Sequence, residues 1–315
     1  MSTIICTLFE KHYHYGLAAL TNSLYYHGFR GSIFAGYRGV LPDWCSTAKE
    51  THNVLWPGSR TLGIAENFQI HFLPLDTDFH LTNYKPFFML RLLESFGNDA
   101  EAIAYFDPDI VIKCQWSFFE TWMSCGVALV HEITANDMPP THPIRRQWEG
   151  VIERCGRQVT RNLYSYINGG FCGIAKSNFE FITLWSEIMN TAMKHYDLKP
   201  AKFMPSDRTH IFFASDQDAL NIAAMCSKSP ISEIGPEGMD LTYGGWTMSH
   251  AVGSPKPWRK NFIISALKGS PPSLTDRAYW LNVDGPLHCY QSISVKLKRI
   301  SILFASFIGR FYRRH

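Results

Sequence analysis

The chain has 315 residues, 46% of them hydrophobic and 14% aromatic, which supplies a substantial core and excludes global disorder. A net charge of +3 is too small to mark a nucleic-acid binder. The charge is uneven: the last 24 residues hold Lys296, Lys298, Arg299, Arg310, Arg313 and Arg314 and no acid, so the remainder is mildly acidic.

Residues 3–9 form a short, apolar, β-branched run and predict a buried first strand. Residues 10–15 are polar and aromatic and read as a loop. Residues 16–27 place Leu17, Leu20 and Leu24 on one helical face, and residues 32–37 predict a second strand. This β-α-β start suits an α/β nucleotide-binding domain. A strand at 70–74 follows, then an amphipathic helix at 85–96 opened by Pro86. Residues 102–106 are a buried strand running into Asp107, and residues 127–130 are another strand. Residues 139–161 give no clear pattern. Strand 171–175, helix 179–195 with Trp185, Ile188 and Met189 inward, and helix 216–225 complete the ordered segments. No repeat and no Gly/Ser-rich linker interrupts them.

The eight cysteines include no CxxC pair, which argues against a zinc or redox site and for a reduced, cytosolic protein. The N-terminal residues lack the pattern of a signal peptide, and no apolar run reaches the roughly 18–20 residues that span a bilayer.

Two stretches carry chemistry. Asp107-Pro108-Asp109 closes an apolar strand, the edge where α/β sheets bind ligands. Two acids one residue apart can share a hard cation such as Mn²⁺ or Mg²⁺, which also bridges phosphate oxygens. The plain alternative is a surface turn, and Asp76-Thr77-Asp78 is a rival that reads better as a polar loop. Far downstream stands His250-Ala251-Val252-Gly253-Ser254-Pro255-Lys256-Pro257-Trp258. His250 supplies a transition-metal ligand, Gly253 permits close backbone approach, and Lys256 offers a compact charge for phosphate.

With these residues the chain resembles the retaining GT-A glycosyltransferases, in particular the glycogenin and lipopolysaccharide galactosyltransferase group, glycosyltransferase family 8. Asp107-Pro108-Asp109 matches the family's DxD motif, and HAVGSPKPW matches HxxGxxKPW. Asn168-Gly169-Gly170 resembles the Asn-x-Gly segment, and Asp216-Gln217-Asp218-Ala219-Leu220-Asn221 resembles DQxxLN. The stretch 199–215 between them departs from the pattern.

The resemblance, which covers roughly residues 3–258, implies a Rossmann-like mixed sheet flanked by helices, a GT-A domain assigned to residues 1–288; the residues after it, 289–315, read as a basic amphipathic tail. It implies Asp107, Asp109 and His250 as ligands of Mn²⁺ or Mg²⁺ bound to a nucleotide diphosphate sugar. Gly253 and Lys256 would meet the phosphates, Thr7 and Tyr15 the nucleobase, and Lys85 would lie near the donor. Asn168, Asp216 and Gln217 would face the transferred sugar, with Gly169, Gly170 and Asp218 on the acceptor side. The expected reaction is hexose transfer, with retention, to a hydroxyl of a glycan or lipid-linked glycan. Same-face attack is favoured because Gln217 is a poor nucleophile.

On a helix, Ile293, Leu297, Ile300, Phe304, Phe307 and Phe311 share one face flanked by basic residues. That face suits an anionic membrane surface contacted through 292–315, hence a cytoplasmic protein attached peripherally to the inner leaflet. A docked C-terminal helix is the plain alternative. The competing functions are a nucleotidyltransferase, which needs a glycine-rich basic loop that Leu8-Phe9-Glu10-Lys11 is not, and a non-catalytic sugar-binding protein of lipid surfaces.

Overall fold

A computed structural model describes residues 1–132, 138–204 and 207–311. Its strands are β1 (Thr3–Glu10), β2 (Gly31–Arg38), β3 (Lys49–Glu50), β4 (Arg60–Ala65), β5 (Phe68–Pro74), β6 (Ala102–Phe106), β7 (Ile110–Ile112), β8 (Val127–Val130), β9 (Phe171–Ala175), β10 (Ile231–Ile234) and β11 (Met248–His250). Its α-helices are α1 (His14–Tyr26), α2 (Leu81–Phe96), α3 (Trp116–Ser124), α4 (Pro143–Arg154), α5 (Glu180–His195), α6 (Ser215–Cys226), α7 (Phe262–Leu267), α8 (Leu274–Asn282) and α9 (Ser292–Ile308).

Nine strands form one mixed sheet in the order β10-β8-β9-β6-β1-β2-β5-β4-β3. The centre, β6-β1-β2-β5, is parallel, so four strands end on one edge. β9 runs antiparallel between β6 and β8. The apolar runs of β1 and β6 follow from burial on both faces. Ile4, Cys6 and Leu8 of β1 join Ile103 and Tyr105 of β6 under α2, α5 and α6. The alternate residues Ile5, Phe9, Ala104 and Phe106 pack beneath α1 and α3.

The small antiparallel ribbon β7-β11 is what positions the site. It sets His250 opposite Ile110, directly after the Asp107-Pro108-Asp109 turn. The Ala251 N–H donates to the Asp109 carbonyl at 3.0 Å and fixes that register. Neither short strand has a visible sequence period, because three residues are too few to alternate.

α2 begins at Leu81 rather than at residue 85, and Pro86 lies inside it. The His80 ring accepts from the Thr82 N–H at 3.3 Å and supplies the cap that starts the helix early. Pro86 only forgoes its own bond to the preceding turn. The unpatterned stretch 139–161 contains α4, capped by His142 and opened by Pro143. The expected loop at 10–15 holds a 3₁₀ turn, Lys11–Tyr13, and the first residues of α1.

α9 has two apolar faces. Val295, Ile302 and Ala305 are buried in a cluster with Trp258, Phe262, Tyr279 and Trp280. Ile293, Leu297, Ile300, Leu303, Phe304, Phe307 and Phe311 stay exposed. The helix is therefore docked on the body and still presents a hydrophobic stripe. Residues 312–315 of the tail, with Arg313 and Arg314, lie outside the described residues. Among the described residues no helix is long and apolar enough to cross a membrane.

Candidate active site

Asp107, Asp109 and His250 each offer a ligand atom, and these atoms lie within 4.8 Å of one another. His250 Nε2 stands 3.3 Å from Asp109 Oδ1 and 3.7 Å from Asp107 Oδ2. Lys256 Nζ donates to Asp109 Oδ2 at 2.5 Å and to the Ala251 carbonyl at 2.7 Å. Burial alone would raise the Asp109 carboxyl, but His250 and Lys256 hold it well below the usual carboxylate range. Asp107 is oriented from behind: the Tyr105 O–H donates to its Oδ1 at 2.9 Å, and its N–H donates to the Gly170 carbonyl at 2.7 Å.

Two carboxylates and one imidazole suit a divalent transition-metal cation such as Mn²⁺ by donor type better than the oxygen-seeking Mg²⁺. The packing around them also fits a ligand set held in place. A Cβ on Gly170 would lie 2.5 Å from His250 Cε1, so the glycine leaves room for the ring to sit flat against the backbone.

Lys85 is the hub behind this cluster. It is 2% exposed, and its Nζ lies 3.1 Å from Asp107 Oδ1 and 2.9 Å from Asp216 Oδ2. It also donates to the Gly169 carbonyl at 2.8 Å. Burial opposes its charge, but the two carboxylates outweigh that and raise its pKa. One ammonium thus ties together the loop after β6, the 168–170 segment and the start of α6.

The 168–170 segment is held from the other side. Asn168 Oδ1 accepts from the Gly170 N–H at 2.8 Å, and its Nδ2 donates to Glu132 Oε2 at 2.6 Å. Gln217 Oε1 accepts from the Gly169 N–H at 2.7 Å. Asn221 clamps both the N–H and the carbonyl of Ile167 at 2.9 Å. Asp218 accepts from the Tyr166 O–H at 2.6 Å and the Ala214 N–H at 2.7 Å. Burial pushes the Asp218 carboxyl up to about 7 despite these two donors.

These groups line one cleft of about 1180 Å³, large enough for two substrates. It brings together Lys85, Asp107, Asp109, Asn168, Gly169, Gly170, Asp216, Gln217, Asp218, His250, Gly253 and Lys256. Two expected residues are not on its wall. Thr7 is fully buried in the middle of β1, under the sheet's covering helices. Tyr15 stacks on Tyr290 at 4.9 Å, and its carbonyl accepts from the Tyr279 O–H. The residues that reach the cleft from that corner are Leu8, Phe9 and Glu10 at the end of β1 and His12 and Tyr13 on the 3₁₀ turn that follows it.

The rival acids Asp76 and Asp78 do not line the cleft; Arg38 donates to the Thr77 and Phe79 carbonyls and shapes that turn. Sequence reasoning also passed over Tyr105, Glu132, Arg259 and the wall formed by Phe203, Met204, Arg208, His210 and Phe213. Tyr105 had a signal, since it stands two residues before Asp107 and a strand repeats every two residues. The wall residues fall within the stretch 199–215 that departs from the family pattern.

No protein-family model matches the sequence, and no curated protein sequence matches it. Solved structures do. The chain is similar to the galactosyltransferase LgtC in complex with donor and acceptor sugar analogs, at TM-score 0.53 and 13% identity, over 94% of this chain and 99% of that one. It is similar to the bifunctional glycosyltransferase WbbM at TM-score 0.51 and 13% identity, over 94% of this chain and 51% of that one. The glycosyltransferase GlyE of Streptococcus pneumoniae TIGR4 matches at TM-score 0.51 and 11% identity, over 95% of this chain and 63% of that one. At such identities a likeness speaks for the fold, and the fold of this chain is that of the GT-A glycosyltransferases.

Proposed function

We propose that this protein is a metal-dependent, retaining glycosyltransferase. It moves a hexose from a nucleotide diphosphate sugar, a UDP-hexose such as UDP-galactose or UDP-glucose, to a hydroxyl of a glycan or lipid-linked glycan. The observation that carries this reading is the meeting of Asp107, Asp109 and His250 at one point on the wall of a large cleft, with Lys256 beside them. LgtC, which shares the fold, was solved with donor and acceptor sugar analogs.

Asp107, Asp109 and His250 would hold the cation, which when bound neutralises charge on the leaving diphosphate. Lys256 adds a positive charge at the same place and stabilises that charge as it develops. Gly253, with φ of 88°, turns the backbone next to it without a side chain in the way. Asp216 is committed to Lys85, and its backbone carbonyl accepts from the Trp185 ring N–H at 3.0 Å. A carboxylate so tied positions its neighbours better than it attacks carbon. Gln217 and Asn168 then face the sugar, and the acceptor hydroxyl attacks from the leaving-group side, its proton passing to the departing phosphate oxygen. Gly169, Gly170 and Asp218 border the acceptor.

The exposed face of α9 supports peripheral attachment to an anionic membrane surface, with a role in bacterial surface polysaccharide or lipopolysaccharide synthesis. A nucleotidyltransferase is disfavoured because the turn after β1 carries no glycine. A screen of nucleotide-sugars with Mn²⁺, read by release of the nucleoside diphosphate, tests the reading. Turnover of one UDP-hexose supports it; release of pyrophosphate instead, or no turnover of any donor, counts against it.

A further inference from the structure

Three histidines on the cleft wall away from the metal ligands are locked in the same tautomer by the backbone. Nδ1 of His80 accepts from the Thr82 N–H at 3.3 Å. Nδ1 of His142 accepts from the Ile144 N–H at 3.3 Å, and Nδ1 of His210 from the Phe212 N–H at 3.0 Å. Each ring caps the amide two residues ahead of it. A neutral imidazole has one acceptor and one donor nitrogen, so each proton resides on Nε2. None of these three Nε2 atoms has a hydrogen-bond partner among the described residues.

Arg208 lines the same cleft, 5.9 Å from the Phe213 ring, with no carboxylate partner among the described residues. The carboxylates of the cleft beyond Asp107 and Asp109 are engaged: Asp218 by Tyr166 and Ala214, Glu132 by Asn168, Asp216 by Lys85, and Glu10, which faces His80, by Arg38. Phe203 packs on His80 with ring centroids 5.2 Å apart and adds an apolar face. The wall therefore offers three N–H donors, unpartnered among the described residues, and a fixed positive charge. A neutral sugar carries hydroxyls that both donate and accept, so it would use this row of donors only in part. A phosphate or a carboxylate only accepts, and it matches.

We propose that this wall is an anion subsite, which takes a phosphate or carboxylate carried by the acceptor sugar. The subsite rests on the glycosyltransferase reading only in calling its ligand an acceptor.

Long-range ¹H–¹⁵N spectra of the full chain read the tautomer and the shift of each histidine separately. Glucose 6-phosphate, glucuronate and glucose serve as probes, without metal or nucleotide. The expected result is Nε2–H tautomers at His80, His142 and His210, and shifts of their signals with an anionic probe but not with glucose. Whether the phosphate or the carboxylate arm responds identifies the group. Arg208→Gln, at an exposed position that tolerates exchange, should weaken that response about tenfold or more. Equal shifts with glucose overturn the proposal. So do shifts confined to His12 at the Lys256 end, Nδ1–H tautomers, or an Arg208→Gln response equal to that of the unaltered protein. Anion-specific shifts in a protein that turns over no nucleotide-sugar leave the subsite standing and remove the glycosyltransferase. Transfer to a neutral glycan with no anion response does the reverse.

Discussion

Replacing Lys85 with Met tests whether one buried cation holds the two halves of the site together. The ammonium has three partners between 2.8 and 3.1 Å and is 2% exposed. The Met side chain fills a similar volume but leaves the 4%-exposed Asp216 carboxylate without a counter-charge and the Gly169 carbonyl without its donor. Breaking a buried pair in this way costs about 3–5 kcal/mol, a large share of the roughly 5–15 kcal/mol of a typical native state. Urea unfolding followed by tryptophan fluorescence at pH 7 measures it. The sign with pH is fixed. The stranded Asp216 has its folded pKa raised, so the variant keeps its stability at low pH and loses it as pH rises through that value. The deficit of Lys85→Met should therefore shrink towards pH 4. Adding Asp216→Asn should recover well over 1 kcal/mol, because the two sites share one interaction. A deficit below about 1 kcal/mol, or a double variant that loses the sum of the single losses, refutes the hub role of Lys85.

Gly170→Ala should lower Mn²⁺ affinity about 10–100-fold, since its Cβ would stand 2.8 Å from both His250 Nδ1 and Asn168 Oδ1; calorimetric titration reads this, with circular dichroism to check the fold. Asp218 is raised from 3.8 to about 7, so its contribution is present in full below pH 4 and lost as pH rises through 7. Thermal melts of Asp218→Asn should show less loss of stability between pH 5 and 8 than the unaltered chain, and parallel curves would count against that assignment. Leu297→Glu with Phe304→Glu, both on the exposed face of α9, should abolish sedimentation with anionic liposomes. Surface changes of this kind alter stability by only about 0.5 kcal/mol each, so unchanged sedimentation of a folded variant would exclude the stripe as the membrane contact.

What could be read from the sequence follows from the range of the forces involved. β6, β8 and β9 match the expected segments at both ends, because strands buried on both faces spell continuous apolar runs. The inward residues of α5, Trp185, Ile188 and Met189, are fully buried, as a helical period over four turns allows. The meeting of Asp107, Asp109 and His250 was legible because rare residue types recur in a rare order around Asp107 and His250. The ribbon β7-β11 that joins them was not, since its pairing lies in backbone bonds across more than a hundred residues. Thr7 and Tyr15 do not line the cleft, because motif spacing does not report which side chains a 3₁₀ turn swings outward, and that turn delivers His12 and Tyr13 there. The donor-lined wall was invisible for a further reason: its histidines act through local backbone caps, which leave no periodic trace. α9 docks through Val295, Ile302 and Ala305, as the plain reading of the tail expects, and leaves the stripe of Ile293, Leu297, Ile300, Phe304 and Phe307 exposed.

Titration of UDP into the protein by calorimetry, with and without Mn²⁺, bears most directly on the site at Asp107, Asp109 and His250. Micromolar binding that requires the metal and weakens at least a hundredfold in Asp109→Ala is the predicted result. Equal affinity after chelation of the metal, or in Asp109→Ala, would contradict a cation held there for a nucleotide diphosphate.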